Sequence, residues 1–157
     1  IAAAAYVTCV LKTDGEIYCM GKNSERAVAS TSYSAGQGLA TALEYSTSGK
    51  FVDLYASSHS IDAVCATSVT GAIKCWGSGI SVPSGTYTAI AISYQSVCGI
   101  QTNGVTKCKG ETHIPPNIAL TQITAAGVQN NTGFCGIAVG TGDLVCWGKE
   151  VFSAWTP

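Results

Sequence analysis

This sequence predicts an all-β fold assembled from four copies of one disulfide-stapled hairpin. Three observations carry the prediction: eight cysteines in 157 residues, a cysteine–glycine pattern that occurs four times, and short apolar runs without sustained helical periodicity.

The pattern occupies residues 9–21 (CVLKTDGEIYCMG), 65–77 (CATSVTGAIKCWG), 98–110 (CGIQTNGVTKCKG) and 135–148 (CGIAVGTGDLVCWG). Thr-Asp-Gly and Thr-Asn-Gly are turn sequences, with glycine available for a positive φ. With Thr13, Asp14 and Gly15 as a three-residue loop, Lys12 faces Glu16, Leu11 faces Ile17, and Cys9 faces Cys19. The same register opposes Cys65 to Cys75 and Cys98 to Cys108. In the last copy a four-residue loop from Val139 to Gly142 absorbs the extra residue and opposes Cys135 to Cys146. Each bridge closes a short loop and is worth about 2–3 kcal/mol. Period-two alternation puts Cys9, Leu11, Ile17 and Cys19 on one face. Cys98 with Ile100, and Cys135, Ile137, Leu144 and Cys146, repeat it, and that face is expected to be the buried one.

An apolar strand is expected before each hairpin, at residues 1–5, 51–56, 87–92 and 120–126. Proline-bearing connectors precede two of them, around Pro83 and Pro115-Pro116. The whole chain, 1–157, reads as one repeat domain. The segment 21–50 is longer than the other connectors and is expected to be a loop, either functional or mobile, with room for one helical turn at 38–45.

Composition narrows the function. A net charge of −1 with 11% charged residues argues against nucleic acid. No apolar run is long enough to insert in a membrane. Without a Cys-x-x-Cys pair, and with only His59 and His113, disulfides are expected instead of a metal site. Disulfides imply a secreted or extracellular location. The opening at Ile1, with no leader-like segment, is expected to mean a targeting segment already removed or a fragment. Asn130-Asn131-Thr132 is a glycosylation sequon.

Nothing reads as a catalytic site. His59 lies among serines near Asp62, but a serine-rich loop makes such neighbours common, and no Gly-x-Ser-x-Gly elbow accompanies them. Asp14, Glu16 and Asp143 sit at hairpin tips, where turn chemistry alone explains them. The expectation is a protein that is not an enzyme and needs neither cofactor nor metal. Trp76 and Trp147 recur at one repeat position and are expected to pack between repeats. Trp155, Tyr33, Tyr45 and Tyr94 lie outside the hairpins and are the candidate ligand-contact residues.

The order of strand, cysteine, Asp-Gly or Asn-Gly, then Cys-Trp-Gly resembles the repeats of the regulator of chromosome condensation family of β-propellers. It is more similar still to the cysteine-paired repeats in the extracellular domains of Crinkly4-type receptor kinases. Residues 12–23 (KTDGEIYCMGKN) are the best copy; the third, with Lys109 in place of tryptophan, diverges most. The resemblance implies small blades around a channel, used for recognition. The family's propellers generally have seven blades, whereas four units stand here, and only Gly36-Gln-Gly38 lies near the place of the family's Gly-Gln-Leu-Gly segment. The expected architecture is therefore a β-propeller-like array of four small blades, closed as a ring within the chain or by oligomerisation. In that arrangement Ile1 is expected to be buried beside a Pro157. Three functions follow: an extracellular module that binds a protein or peptide through its loops, a lectin, or a self-associating structural subunit.

Overall fold

The computed structural model describes residues 1–4, 7–21, 41–43, 50–57, 63–77, 80–110, 115–128 and 131–148. Among them, thirteen strands form four antiparallel sheets that follow one another in chain order. Blade 1 contains β1 (Ala2–Ala3), β2 (Val7–Leu11), β3 (Ile17–Gly21) and β4 (Thr41–Leu43). Blade 2 contains β5 (Phe51–Ala56), β6 (Val64–Ser68) and β7 (Ile73–Trp76). Blade 3 contains β8 (Tyr87–Ser93), β9 (Ser96–Gln101) and β10 (Thr106–Lys109). Blade 4 contains β11 (Leu120–Val128), β12 (Asn131–Ala138) and β13 (Leu144–Gly148).

Turn chemistry fixes where each disulfide falls. At the first tip the Gly15 N–H donates to the Lys12 carbonyl (3.0 Å), and the Lys12 N–H to the Glu16 carbonyl (2.8 Å). Gly15 closes the loop at φ +87°, and Gly71 and Gly104 repeat it at +78° and +82°. Antiparallel pairs alternate between hydrogen-bonded and non-hydrogen-bonded sites. Three pairs beyond the hydrogen-bonded Lys12–Glu16 pair, Cys9 opposes Cys19 at a non-hydrogen-bonded site, where strands approach most closely. The same count leads from Ser68–Ala72 to Cys65–Cys75, from Gln101–Val105 to Cys98–Cys108, and from Ala138–Asp143 to Cys135–Cys146. All four pairs are disulfide-bonded, each with Cα atoms 4.0 Å apart.

Blades stack by presenting unlike faces. Cys9, Ile17 and Cys19 of blade 1 pack against Phe51, Leu54, Val64 and Trp76 of blade 2. The Cys65–Cys75 face of blade 2 meets Tyr87, Ile90, Ile92 and Val97 of blade 3. The Cys98–Cys108 face of blade 3 meets Leu120, Phe134 and Trp147 of blade 4. Each joint therefore sets the cystine face of one blade on the opposite, aliphatic and aromatic face of the next. The indoles of Trp76 and Trp147 lie in these joints, edge-on to Phe51 at 5.9 Å and stacked on Phe134 at 5.8 Å.

This polarity corrects one expectation. In blade 4 the cystine face is the open one: Leu144 is 59% exposed, while Phe134 and Trp147 are buried. No next blade covers it among the described residues, so alternation alone chose the wrong face there. Ile1 also departs from expectation, being 88% exposed; Pro157 lies outside the described residues.

A repeated backbone clasp accompanies the packing. The tip carbonyl of Gly15 accepts from the Phe51 N–H (3.3 Å), that of Gly71 from Tyr87 (2.8 Å), and that of Gly104 from Leu120 (3.4 Å). The residue before each of these strands then accepts from its own blade's tip: Lys50 from Val69, Thr86 from Thr102, and Ala119 from Val139. Directly after the strand's first residue comes a bulge, at Val52, Thr88 and Thr121. It lets Tyr87 and Leu120 fold over the middle strand where that strand carries glycine. A Cβ on Gly99 would stand 2.5 Å from Tyr87 Cδ1, and one on Gly136 2.6 Å from Leu120 Cδ1.

Within segment 21–50, residues 41–43 form strand β4, paired with β3 (Ile17↔Leu43), so the helical turn expected over 38–45 is not formed there. Gly21 ends β3 and Lys50 precedes β5; the rest of the segment lies outside the described residues. Blades 2 and 3 show no such fourth strand among the described residues. Their connectors carry Pro83 and Pro115-Pro116, which lack the N–H that a sheet edge requires.

Candidate recognition surface

The strand order gives every blade two functional ends. At one end stand the hairpin tips and the clasps between blades. At the other the first strand of each blade gives way to the second, as at the turn 94–95; the connections 4–6, 57–63 and 129–130 lie wholly or partly outside the described residues.

The tip end is occupied by its own contacts. Lys12 Nζ lies 2.6 Å from Asp14 and 2.8 Å from Glu16, and 5.1 Å from the centre of the Tyr18 ring. Tyr18 also donates its hydroxyl hydrogen to Glu16 (2.9 Å). The Lys12 ammonium, as hydrogen-bond donor, holds both carboxyls below their ordinary values, and they in turn raise Lys12. Because these acids are lowered on folding, whatever stability they add is present at neutral pH and is lost as pH falls through the carboxylate range. Neither acid is raised toward neutrality, as a general acid would be. Asp53 accepts from the Tyr55 hydroxyl (2.8 Å), and burial first, then that hydrogen bond, raises the tyrosine. Among the described residues no group of three or more His, Cys, Asp or Glu is arranged to hold a metal. Among the described residues there is no helix long and apolar enough to cross a membrane.

The opposite end carries the one conformational outlier. Tyr94 adopts φ +48°, and it is the only non-glycine residue with positive φ among those described. It stands with Gln95 between the paired Ser93 and Ser96, in a two-residue turn, and is partly exposed. The turn is anchored by the residues that flank it. Ser93 and Ser96 are fully buried, and the Ser93 hydroxyl donates to the Ala126 carbonyl of blade 4 (2.9 Å). A left-handed conformation costs a tyrosine about 1–2 kcal/mol that glycine would not incur.

The other candidates from the sequence are not brought to Tyr94 by anything described. Tyr33, Tyr45, Trp155, Asn130, His59 and His113 lie outside the described residues. Sequence reasoning chose Tyr94 only as an aromatic outside the hairpins. Its backbone conformation left no sequence signal, since left-handed turns ordinarily advertise themselves with Gly, Asn or Asp. Sequence reasoning also missed the close approach of Tyr87 to Gly99 and of Leu120 to Gly136. The recurring Cys-Gly-Ile of residues 98–100 and 135–137 was the available clue.

No protein-family model matches this sequence, and no curated protein matches it. Solved structures do. The CRINKLY WD40 ectodomain of the Arabidopsis thaliana receptor kinase ACR4 superposes with a TM-score of 0.67 and 25% identity, over 95% of this chain and 49% of that one. The ectodomain of the Physcomitrella patens receptor kinase CR4 superposes with a TM-score of 0.66 and 20% identity, over 93% of this chain and 37% of that one. A chain in the complex of Kap60 with yeast RCC1 (Prp20) gives a TM-score of 0.71 at 12% identity, over 94% of this chain and 42% of that one. This chain thus spans half or less of the length of each. The fold of these four stapled blades is that of the Crinkly and RCC1-type β-propellers.

Proposed function

We propose that this protein is an extracellular recognition module that binds a protein or peptide partner through the connections at the Tyr94 end of its blades. The four disulfides point to an oxidising compartment, and the likeness to receptor ectodomains supports the same location. The observation that carries the reading is Tyr94. An aromatic residue in a strained backbone conformation on an anchored, partly exposed turn is a feature that stability alone does not favour. Rigid scaffolds with exposed turns commonly host binding sites, and tyrosine suits them because it brings much contact area for little entropy. Trp155, Tyr33 and Tyr45 are proposed as further contacts, and Asn130 as a glycosylation site.

The test is a Tyr94→Gly variant. It should melt at the same temperature as the natural sequence or higher, with a gain of up to about 1 kcal/mol. Against partners recovered from a panel of secreted and cell-surface ectodomains, its Kd should rise at least ~tenfold. Unchanged affinity for every recovered partner would remove Tyr94 from the site. Binding confined to a glycan array would instead support the lectin reading.

A further inference from the structure

Blades 1 and 3 differ at the edge that the third strand turns away from the second. In blade 1 the chain fills that edge itself, with Thr41 and Leu43 of β4 opposite Cys19 and Ile17 of β3. The corresponding residues of β10 are Cys108 and Thr106. Both stand at non-hydrogen-bonded sites against β9, so their N–H and C=O groups point away from it. None of these groups has a backbone partner among the described residues. A groove of about 440 Å³ lies along the edge, lined by all four residues of β10 and by Val82, Pro83, Ser84 and Pro115 of the connectors. The two prolines have no N–H to offer it. One wall is tied to blade 3, since Pro83 is buried and the Tyr87 hydroxyl donates to the Ser84 carbonyl (3.0 Å). Lys107 and Lys109 are exposed two residues apart on one face of β10, and neither forms an ion pair with a described residue.

We propose that this edge takes an extended peptide of a partner, added as an antiparallel fourth strand with acidic residues at alternate positions. Strand β4 supplies the template. Residues opposite Thr106 and Cys108 exchange main-chain hydrogen bonds with β10, and residues opposite Lys107 and Lys109 bring their side chains to the lysine face. Charge selects the occupant: two lysines on one edge repel a second copy of that edge, and an acidic strand is their complement. Blade 3 is an interior blade, packed against blade 2 on one face and blade 4 on the other, so the edge of β10 is what it leaves free. The inference rests on this edge and not on Tyr94, and either reading can fail alone.

The probe is a fluorescein-labelled peptide, Thr-Glu-Val-Glu-Val-Thr-amide. Its glutamates fall opposite Lys109 and Lys107, and its valines opposite Cys108 and Thr106. By fluorescence anisotropy it should bind the chain with a Kd on the order of 10–100 μM. N-methylation of both valines removes the N–H groups that donate to the edge and should raise Kd at least ~tenfold. N-methylation of both glutamates, whose N–H groups point away from β10, should raise it less than ~threefold. Lys107→Glu combined with Lys109→Glu should lose this peptide and bind Thr-Lys-Val-Lys-Val-Thr-amide instead. Both side chains are exposed, so the double variant should fold, as far-UV circular dichroism would show. No binding by the natural chain at about 1 mM peptide would overturn the proposal. So would equal effects of the two N-methylation patterns, or a folded double variant that keeps the glutamate peptide.

Discussion

Reduction of all four disulfides at neutral pH should unfold this protein at room temperature. Each bridge closes a loop with a sequence separation of 10 or 11, worth about 2–3 kcal/mol. Their sum is comparable to the entire stability of an ordinary domain, 5–15 kcal/mol. An unstapled hairpin is barely stable, and here the joints are built on the cystine faces themselves. Far-UV circular dichroism before and after a phosphine reductant measures the effect. The order of reduction is also expected to be uneven. Cys9 and Cys19 are fully buried, and one cysteine of each of the next two bridges is; only Cys135–Cys146 has both ends partly exposed. It should react first, as mass spectrometry of alkylated intermediates would show. A fully reduced protein that keeps its β-sheet signal would mean that packing holds the blades without the staples.

The second large effect separates the two faces of blade 4. Trp147→Ala should cost about 3–5 kcal/mol, because the indole fills the joint between Phe134 and the Cys98–Cys108 face. Leu144→Ala, on the other side of the same strand, should change stability by less than about 0.5 kcal/mol. Urea titration gives both values. Equal costs would show that the cystine face of blade 4 is covered within one chain, and would contradict the assigned polarity.

The hairpins were legible because turn chemistry and cysteine spacing are local. Thr13-Asp14-Gly15 set the loop, the loop set the register, and the register set Cys9 opposite Cys19. The buried face of blade 4 was not legible in the same way. Ile137 and Leu144 alternate with Gly136 and Val145 as a core stripe would, yet burial depends on which blade stands next, and that is a tertiary fact. Middle strands such as β9 are buried on both faces for the same reason, from Ser96 to Ile100. Strand β4 was hidden by its composition: Thr41-Ala42-Leu43 is short and lies in a Ser-, Ala- and Gly-rich stretch, and it is a strand because β3 offers it an edge. At the candidate site, an aromatic outside the repeat could be picked out, but not the left-handed backbone that sets Tyr94 apart.

The claim on which the rest depends is that every blade is closed by its own disulfide. Trypsin, cutting after Lys12, Lys74 and Lys107, together with cleavage before Asp143, severs all four hairpin loops between their cysteines, and chymotryptic cleavage after Tyr87 or Tyr94 separates Cys75 from Cys98. Mapped without reduction, the resulting peptides should be linked as Cys9–Cys19, Cys65–Cys75, Cys98–Cys108 and Cys135–Cys146 and in no other combination. A single bridge joining cysteines of two different blades would contradict the account.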